Sequence, residues 1–446
     1  MINPEALTEA LSEYLPRQRW FSGADDAVPE LRLKSVEALR TEWPALLQVL
    51  VEARLPVDGQ MRTATYQAVL GLRPVDSREA FLEGKPEAIL RELDTDLGAA
   101  LAYDALIDPE LAVTLLQVVA PGEEAGRARY LGADQSNTSV VFDERLIMKL
   151  FRRVPDGPNP DAEITRALVE VGFTNVARPV AEWRGDAGDF AMVNEFLVGG
   201  SEGFALALTS LRDLYDRRCP PAEAGGDFAP ESTRLGAITA EMHLALAQAF
   251  GGGPGDADLW AGDMEAHLQR VRLPELDSHR VRAVYRRLRA VDDPGPALRV
   301  HGDYHLGQVM RTDAGWHVLD FEGEPDRPLA ERRRPSSPLR DVAGLVRSFH
   351  YAAEVALRDW GSEPDEELRA LGASWEQRNA GAFVAGYLGT EGIDAVLPGA
   401  DADRRLVQAA FELDKAVYEV GYEQAHRPDW VNIPLSAVHR ILEAIT

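Results

Sequence analysis

The octapeptide from His301 to Gln308, HGDYHLGQ, contains the residues whose types and spacing are best suited to chemistry. Asp303 is followed five positions later by the amide of Gln308, and a second carboxylate, Asp320, ends the next apolar run. In a phosphoryl-transfer site the first aspartate aims an acceptor hydroxyl and takes its proton, while the amide and the second aspartate hold magnesium. We therefore predict Asp303 as the catalytic base, and Gln308 and Asp320 as ligands of Mg²⁺.

A short motif of this kind also has a purely structural interpretation. His-Gly-Asp occurs in ordinary surface turns, so the tripeptide alone does not decide between a turn and a site. The amide and the second aspartate at the expected spacing favour the site. Gln308 stands where most kinases have asparagine, but its amide oxygen is chemically equivalent.

Composition narrows the class of protein. The chain has 446 residues, 73 acidic and 47 basic, and its formal charge of -26 argues against nucleic acid or an anionic membrane as a partner. The single cysteine, Cys219, excludes an internal disulfide. The start of the chain carries charges where a signal peptide needs an apolar core, and no apolar stretch is long enough to span a bilayer. We expect a cytoplasmic protein.

The distribution of apolar residues predicts an α+β fold in three regions. Residues 1–88 form a first region rich in β-prone segments, residues 89–200 a mixed subdomain, and residues 201–446 a mainly helical part. The first region opens with a short helix and continues with alternating segments typical of an antiparallel sheet, at Leu31–Val36, Leu46–Val51 and Thr65–Leu72.

The middle region has the pattern of a nucleotide-binding lobe. The β-prone runs Ser139–Phe142 and Leu146–Phe151 flank Asp143-Glu144, which suits a hairpin turn. A helix is predicted to begin at Asn159-Pro160, where asparagine can cap and proline fits the first turn, and to end near Gly172.

Lysine is an uncommon choice in this chain, in which nearly all basic residues are arginine. The lysines are Lys34, Lys85, Lys149 and Lys415. Lys149 lies in the second strand of the predicted hairpin, where kinases place a lysine that contacts nucleotide phosphates, and Glu163 on the following helix is its predicted partner. The alternative is a solvent-facing lysine, with Glu163 near the helix dipole.

The segment before the hairpin is predicted to lie over the phosphates of ATP. It is not glycine-rich, so contact would come from hydroxyls and backbone N–H groups of Ser136, Asn137, Thr138 and Ser139. An ordinary polar turn is the alternative.

The strand predicted over Phe190–Val198 leads into Gly199-Gly200, a natural hinge between two lobes. As an edge strand it would present the backbone of Glu195 and Leu197 to adenine, so ATP would bind between the lobes.

Several longer motifs together resemble the actinobacterial maltokinases, within the aminoglycoside-phosphotransferase-like group of protein-kinase-like enzymes. The resemblance covers nearly the whole chain and rests on Leu15–Phe21, Gln135–Ser139, His301–Gln308, Asp320–Pro325, Pro338–Gly344, Glu412–Glu419 and Arg427–Trp430. It implies a bilobal fold with an N-terminal cap, an intermediate nucleotide-binding subdomain, and a helical C-lobe whose acidic groove takes the sugar.

Departures from that pattern bear on the substrate. Maltokinases usually have leucine at the position of Tyr304, and Asn432 is also unusual. Both changes would shorten the sugar site and favour a monosaccharide. The chain resembles a related branch that phosphorylates glucosamine, which we therefore place ahead of maltose.

The predicted sugar site combines the catalytic loop with the late helix. Glu412 and Glu419 are two helical turns apart, and a carboxylate there would suit a protonated amine. The full set of predicted sugar contacts is Asp303, Tyr304, His301, Glu412, Tyr418, Glu419, Tyr422, Trp430 and Asn432. For the late helix the alternatives are a Glu412–Lys415 salt bridge and aromatic residues in the core.

The expected function is that of an ATP- and Mg²⁺-dependent sugar kinase that converts glucosamine to glucosamine 6-phosphate, with maltose to maltose 1-phosphate as the alternative. A non-catalytic nucleotide- or sugar-binding regulator is less favoured because Asp303, Gln308, Asp320 and Lys149 are all present. A protein kinase is disfavoured by the missing glycine-rich loop. The expected partner is a small-molecule sugar, and the expected state is a monomer or weak homodimer.

Overall fold

The computed structural model describes residues 2–21, 30–57, 60–77, 79–133, 137–324, 327–361 and 364–445. The chain divides into two compact units, one formed by Met1–Glu163 with Ala177–Val198 and the other by Ile164–Val176 with Gly199–Thr446. The predicted α+β class, with a β-rich beginning and a helical C-terminal part, is confirmed. Among the described residues, no helix combines the length and the apolar character needed to cross a membrane.

The first unit contains two antiparallel sheets and the helices α1 (Pro4–Tyr14) and α2 (Pro109–Val119). Its strands are β1 (Glu30–Arg40), β2 (Ala45–Val57), β3 (Gln60–Pro74), β4 (Ile89–Thr95), β5 (Gly98–Asp104), β6 (Ala128–Ala133), β7 (Asn137–Phe142), β8 (Leu146–Phe151), β9 (Arg153–Val154), β10 (Pro179–Gly185) and β11 (Gly188–Glu195). The first sheet has the order β1-β2-β3-β5-β4, with β9 paired to β3, and the second has the order β10-β11-β8-β7-β6.

The first sheet extends beyond the predicted cap boundary at residue 88. Strand β5 pairs with β3 from Leu70 opposite Asp104 to Pro74 opposite Ala100, and β4 pairs with β5. Because a boundary at residue 88 would cut these pairings, the first structural region continues at least to Asp104.

The β7–β8 hairpin forms as predicted. Phe142 pairs with Leu146, and the two turn residues, Asp143 and Glu144, both have φ of 51°. Positive φ at both central residues is the geometry of a tight turn that matches the right-handed twist of the strands. The Asp143 carboxylate also accepts hydrogen bonds from the backbone N–H groups of Gly126 and Arg127.

A buried polar cluster ties the hairpin to the first sheet and to the start of the chain. Arg152, which follows β8, donates to the hydroxyl of Thr138 at 2.8 Å and to the carboxylate of Asp104. Asp104 also accepts a hydrogen bond from the Tyr14 hydroxyl at 3.1 Å. The Trp20 ring lies 4.9 Å from the guanidinium carbon of Arg152. All four partners are buried, so the ion pair is enclosed by the cap.

The second unit is mainly helical. Helix α3 (Pro160–Glu170) begins in the first unit and ends in the second, and the Asn159 side chain accepts a hydrogen bond from the N–H of Asp161 at 2.8 Å, as its predicted cap. The other helices are α4 (Gly203–Arg217), α5 (Ala229–Phe250), α6 (Ala257–Arg270), α7 (Ser278–Arg289), α8 (Leu329–Arg332), α9 (Leu339–Arg358), α10 (Glu366–Leu388), α11 (Asp401–His426) and α12 (Asn432–Ile445).

Five short strands complete the second unit. They are β12 (Ser201–Glu202), β13 (Gly252–Pro254), β14 (Pro296–Leu298), β15 (Val309–Thr312) and β16 (Gly315–Val318). Strands β12, β15 and β16 form one antiparallel sheet, and β13 pairs with β14. The catalytic loop predicted from the sequence lies between β14 and β15.

Helices α5 and α10 approach each other closely at glycines. A methyl group added to Gly236 would lie 2.0 Å from the carbonyl oxygen of Phe383, and one added to Gly386 would lie 2.0 Å from that of Thr233. Backbone atoms in packed helices cannot move aside cheaply, so both positions require glycine.

Glu376 on α10 connects three helices. Its carboxylate accepts hydrogen bonds from His350 on α9 at 3.0 Å and from Arg440 on α12 at 2.7 Å. Burial alone would raise the pKa of Glu376, but the hydrogen bonds and charges of His350 and Arg440 outweigh it and lower the pKa to about 2. The ionised carboxylate therefore stabilises the folded helical unit.

Replacing Gly236 with alanine is expected to lower stability by about 1–3 kcal/mol, because the new methyl group would overpack the α5–α10 contact. The matched control is Gly381→Ala on α10, where an added methyl group meets nothing within 4 Å. The control should raise stability by up to about 1 kcal/mol, because alanine is the better helix former. Thermal unfolding midpoints that move the same way for both variants would contradict the assigned contact.

Glu376→Gln is expected to reduce stability by about 3 kcal/mol near neutral pH and to have little effect in strong acid. The folded-state pKa of Glu376 lies below its ordinary value of 4.5, so its contribution is complete above pH 4.5 and disappears as the pH falls towards 2. Urea unfolding of the variant and of wild type at several pH values measures this difference. The exposed Glu443 on α12 provides the control, Glu443→Gln, and an equal pH dependence in both variants would disprove the linkage.

Candidate active site

The β15–β16 hairpin brings the two predicted metal ligands together. Gln308 ends the turn that leads into β15, and Asp320 follows β16, with the backbone N–H of Leu319 donating to the carbonyl of Gln308 at 2.9 Å. The Gln308 amide nitrogen donates to the carboxylate of Asp320 at 3.2 Å. Two side chains twelve residues apart in sequence are therefore in direct contact.

Asp320 adopts a left-handed backbone conformation, with φ of 60°. Such a conformation is unfavourable for most non-glycine residues and is concentrated at functional sites, although aspartate tolerates it better than most. A half-turn of the neighbouring Gln308 amide would place its oxygen beside the carboxylate. An amide oxygen and a carboxylate oxygen on adjacent side chains are hard donors, so this pair fits Mg²⁺ by its chemistry.

Asp303 lies in the loop just before that hairpin and forms an ion pair with the late helix. Lys415 on α11 donates to one carboxylate oxygen of Asp303 at 2.9 Å and to Glu324 at 3.0 Å. Burial lowers the pKa of Lys415, but Asp303 and Glu324 outweigh burial and hold that pKa above its usual range, so the side chain is an ammonium. The sequence offered Glu412 as a salt-bridge partner of Lys415, whereas the ammonium pairs with Asp303 and Glu324.

The loop is held from beneath by Asp341, in the first turn of α9. Its carboxylate accepts hydrogen bonds from the backbone N–H groups of His301 at 2.8 Å and Gly302 at 2.9 Å. His243 on α5 bonds to the same carboxylate at 3.1 Å and to the Tyr387 hydroxyl at 2.8 Å. Burial raises the pKa of Asp341, but the hydrogen bond and charge of His243, the charge of His301 and the Gly302 N–H reverse this and lower it. Sequence reasoning did not identify His243.

His301 and Tyr304, both predicted as sugar contacts, are buried residues of the loop whose side chains have protein partners. The His301 ring bonds to the carbonyl of Leu319 at 2.8 Å and packs against Tyr304 and Phe321. The Tyr304 side chain is 1% exposed, and its hydroxyl hydrogen-bonds to Thr239 at 2.9 Å. Burial raises the pKa of Tyr304. Both side chains therefore brace the catalytic loop.

The two acidic residues of the late helix already have protein partners. Arg347, a buried side chain on α9, donates to Glu419 at 2.6 Å. Glu412 accepts a hydrogen bond from Gln408 at 2.7 Å and borders a pocket of about 440 Å³ between α9, α10, α11 and α12. Burial raises the pKa of Glu412. In this arrangement Glu419 is paired with an arginine of α9, and Glu412 is hydrogen-bonded to a residue one turn earlier on α11.

The predicted aromatic contacts divide into two groups. The Tyr418 ring lies 4.9 Å from the ammonium of Lys415 and stacks on Tyr422. Trp430 instead stacks on Tyr351 of α9 and lies 4.7 Å from the guanidinium carbon of Arg427. Asn432, which begins α12, is exposed. Of these residues, Tyr418 is the one linked to Asp303 through a shared contact with Lys415.

In the first unit, Lys149 lies in β8 opposite Ser139, as the hairpin prediction required. Its ammonium donates to the carboxylate of Asp161 at 2.8 Å. Asp161 and Glu163 both lie in the first turn of α3. The sequence prediction singled out Glu163, and Asp161 is an additional carboxylate that the same first-turn argument would have identified. Lys149 is thus a partly buried cation oriented by the following helix.

The predicted phosphate loop is only partly described. Ser136 lies outside the described residues, whereas Asn137, Thr138 and Ser139 begin strand β7. Asn137 and Thr138 are buried, and the Thr138 hydroxyl accepts a hydrogen bond from Arg152. The Thr138 side chain therefore belongs to the internal cluster of the first unit, and phosphate binding by this segment stays a prediction.

Strand β11 is an inner strand and not the predicted edge strand. It lies between β10 and β8, and the backbone N–H of Glu195 donates to the carbonyl of Arg178 at 2.9 Å. The Glu195 carboxylate also pairs with Arg178. Leu197 follows the strand, next to a pocket of about 580 Å³ whose lining includes Leu146, Phe196 and Val198. The backbones of Glu195 and Leu197 were both predicted to contact adenine. Glu195 is paired within the sheet, whereas Leu197 lies beyond the end of β11.

Two family models match the chain. The model described as the maltokinase N-terminal cap domain matches residues 14–108, which agrees with a first sheet that continues to Asp104. The model described as the phosphotransferase enzyme family matches residues 127–376 and thus contains Lys149, Asp303, Gln308 and Asp320.

The chain is similar to two curated glucosamine kinases and to a solved glucosamine kinase. The protein from Mycolicibacterium smegmatis (strain ATCC 700084 / mc(2)155) is 28% identical over 333 residues, 71% of this chain and 79% of the relative. The protein from Streptacidiphilus jiangxiensis is 29% identical over 325 residues, 68% of this chain and 70% of the relative.

The solved glucosamine kinase, in complex with glucosamine, ADP and inorganic phosphate, has a TM-score of 0.65 and 24% identity. The alignment covers 94% of this chain and 96% of that structure, so the two proteins share the fold. Since the phosphotransferase model covers more than half of the sequence and includes the catalytic loop, the chain belongs to the phosphotransferase enzyme family.

Proposed function

We propose that the protein is an ATP-dependent sugar kinase that transfers the γ-phosphoryl group to the 6-hydroxyl of glucosamine. The observation that carries this proposal is the contact between Gln308 and Asp320 directly after the loop that presents Asp303. A base, a side-chain amide and a second carboxylate, in this order along the chain, match the parts used in phosphoryl transfer. Similarity to two glucosamine kinases supports the choice of sugar.

Each residue of the proposed site has a role that follows from its position. Asp303 orients the acceptor hydroxyl and accepts its proton, and Lys149 provides a positive charge for the nucleotide phosphates. Gln308 and Asp320 would hold Mg²⁺, which when bound neutralises charge on the phosphate oxygens. Because the transition state of such a transfer is loose, the protein contributes mainly by positioning and by electrostatic stabilisation.

A maltokinase is the second candidate, and the match of residues 14–108 to the maltokinase cap favours it. The acceptor would then be the anomeric hydroxyl of the reducing end of maltose. Glu419 is paired with Arg347, and Glu412 accepts a hydrogen bond from Gln408, which weakens one physical argument for an amino sugar. The ordering therefore rests on the relatives. A cytoplasmic location, and a monomeric or weakly dimeric state, remain predictions.

The sugar can be identified by measuring ADP release with glucosamine, maltose, glucose, N-acetylglucosamine and an aminoglycoside as acceptors. We expect the highest kcat/KM with glucosamine, and phosphorus NMR of the product should show a 6-phosphate. Faster turnover of maltose would reverse the ordering. Tight binding of an unhydrolysable ATP analogue without sugar-dependent ADP release would instead indicate a non-catalytic regulator.

Asp303→Asn is expected to reduce kcat by roughly two to four orders of magnitude, because the variant loses the proton acceptor. Affinity for ADP should stay close to that of wild type, since the variant keeps Lys149, Gln308 and Asp320. Asp313→Asn is the matched control, because Asp313 is exposed in the β15–β16 turn. Near-normal turnover of Asp303→Asn with every sugar in the panel would show that the base is misassigned.

A further inference from the structure

We infer that Lys415 is a positioning residue for phosphoryl transfer: its ammonium holds one carboxylate oxygen of Asp303 so that the other oxygen faces the acceptor hydroxyl. The inference rests on the proposed function, because it takes Asp303 as the proton acceptor. It assigns a role to a residue of α11, 112 positions from Asp303 in sequence.

The two oxygens of Asp303 have different surroundings. The Lys415 ammonium donates to Oδ1 at 2.9 Å, whereas Oδ2 has no hydrogen-bond partner among the described residues. The carboxylate is 20% exposed, so the open oxygen can be reached by a ligand. A carboxylate fixed at one oxygen cannot rotate freely, and the remaining lone pairs of Oδ2 point in a defined direction.

Lys415 is itself fixed by a buried acidic hub at Glu324. The Glu324 side chain is 4% exposed and accepts hydrogen bonds from Lys415 at 3.0 Å, from Arg340 at 3.2 Å and from Arg327. Burial raises the pKa of Glu324, but these three cations lower it well below its usual range. Arg340 also donates to the carbonyl of Gly302 at 3.0 Å, so the hub contacts the catalytic loop a second time.

The pairing of Asp303 with Lys415 suits a base whose main role is to orient the acceptor hydroxyl and not to remove its proton early. In a loose phosphoryl-transfer transition state the hydroxyl keeps its proton until late, and its alignment matters most. Lysine also fits this site better than arginine. A compact ammonium can donate to one oxygen of Asp303 and one oxygen of Glu324, whereas a planar guanidinium favours paired contacts with a single carboxylate.

A double-mutant cycle tests this role. Lys415→Met should lower kcat about 100-fold, the effect expected from a small misplacement of a catalytic group, and should change the KM for the sugar by less than about threefold. In an Asp303→Asn background the same substitution should change kcat by less than about threefold, because Lys415 acts through Asp303. An equal loss in both backgrounds, an effect on KM alone, or an unchanged kcat would overturn the inference.

Two further variants keep the test decisive. Lys34→Met is the control, because Lys34 is an exposed lysine of β1, and it should leave kcat unchanged. If Lys415→Met does not fold, Lys415→Arg is used in its place. This variant keeps the positive charge beside Glu324 but replaces the compact ammonium by a planar guanidinium. Its kcat should fall about tenfold, again only when Asp303 is present, whereas an additive loss would overturn the inference.

Failure of the proposed function can be distinguished from failure of this inference. If wild type releases no ADP with any sugar, the proposed function fails. A crystal structure of Lys415→Met or Lys415→Arg then decides the role of Lys415. Rotation of the Asp303 carboxylate away from its wild-type orientation would support the inference, and an unchanged orientation would overturn it.

Discussion

The arrangement of the catalytic loop depends on one buried carboxylate, Asp341. Its carboxylate accepts hydrogen bonds from two backbone N–H groups of the loop and from a ring N–H of His243. Because the carboxylate is ionised and buried, these are charge-assisted hydrogen bonds. A buried carboxylate without such partners would be strongly unfavourable, so the pairing can be satisfied only when the loop is in place. The positions of Asp303 and of the metal-ligand pair follow from this constraint.

The loop also has a second attachment on its other side. His301 connects the loop to the carbonyl of Leu319, the residue before Asp320, and Arg340 connects the carbonyl of Gly302 to Glu324. The loop that carries Asp303, the segment that leads to Asp320, and helix α9 are therefore parts of one hydrogen-bonded network. Such a network restrains the loop, which is the property that positioning a hydroxyl for in-line attack requires.

The elements set by local chemistry were predictable from the sequence. The β7–β8 hairpin was predictable because Asp143 and Glu144 separate two β-prone runs, and the start of α3 because Asn159 precedes proline. The proximity of Gln308 and Asp320 was likewise predictable, since a short hairpin joins them. In each case the interacting residues are close together in the chain, and turn or capping preferences are sufficient.

What the sequence did not reveal depends on partners that are distant in the chain. Tyr304 meets Thr239 across 65 residues, and Glu419 meets Arg347 across 72, so a bulky or acidic residue near the site was read as a sugar contact. The same limit applies to Asp303, whose partner Lys415 lies on another helix. The inner position of β11 was missed because strand order in a sheet is a tertiary property that alternation of residues does not encode.

The ion pair between Arg152 and Asp104 has a consequence for the evolution and engineering of this architecture. Asp104 lies in the cap match and Arg152 in the phosphotransferase match, and the aromatic cover comes from Tyr14 and Trp20. Deleting the cap would remove the anion and the aromatic cover of Arg152 together, so a phosphotransferase segment cut out alone would lose the contacts that bury this arginine. The N-terminal segment and the hairpin must be inherited, exchanged or redesigned together.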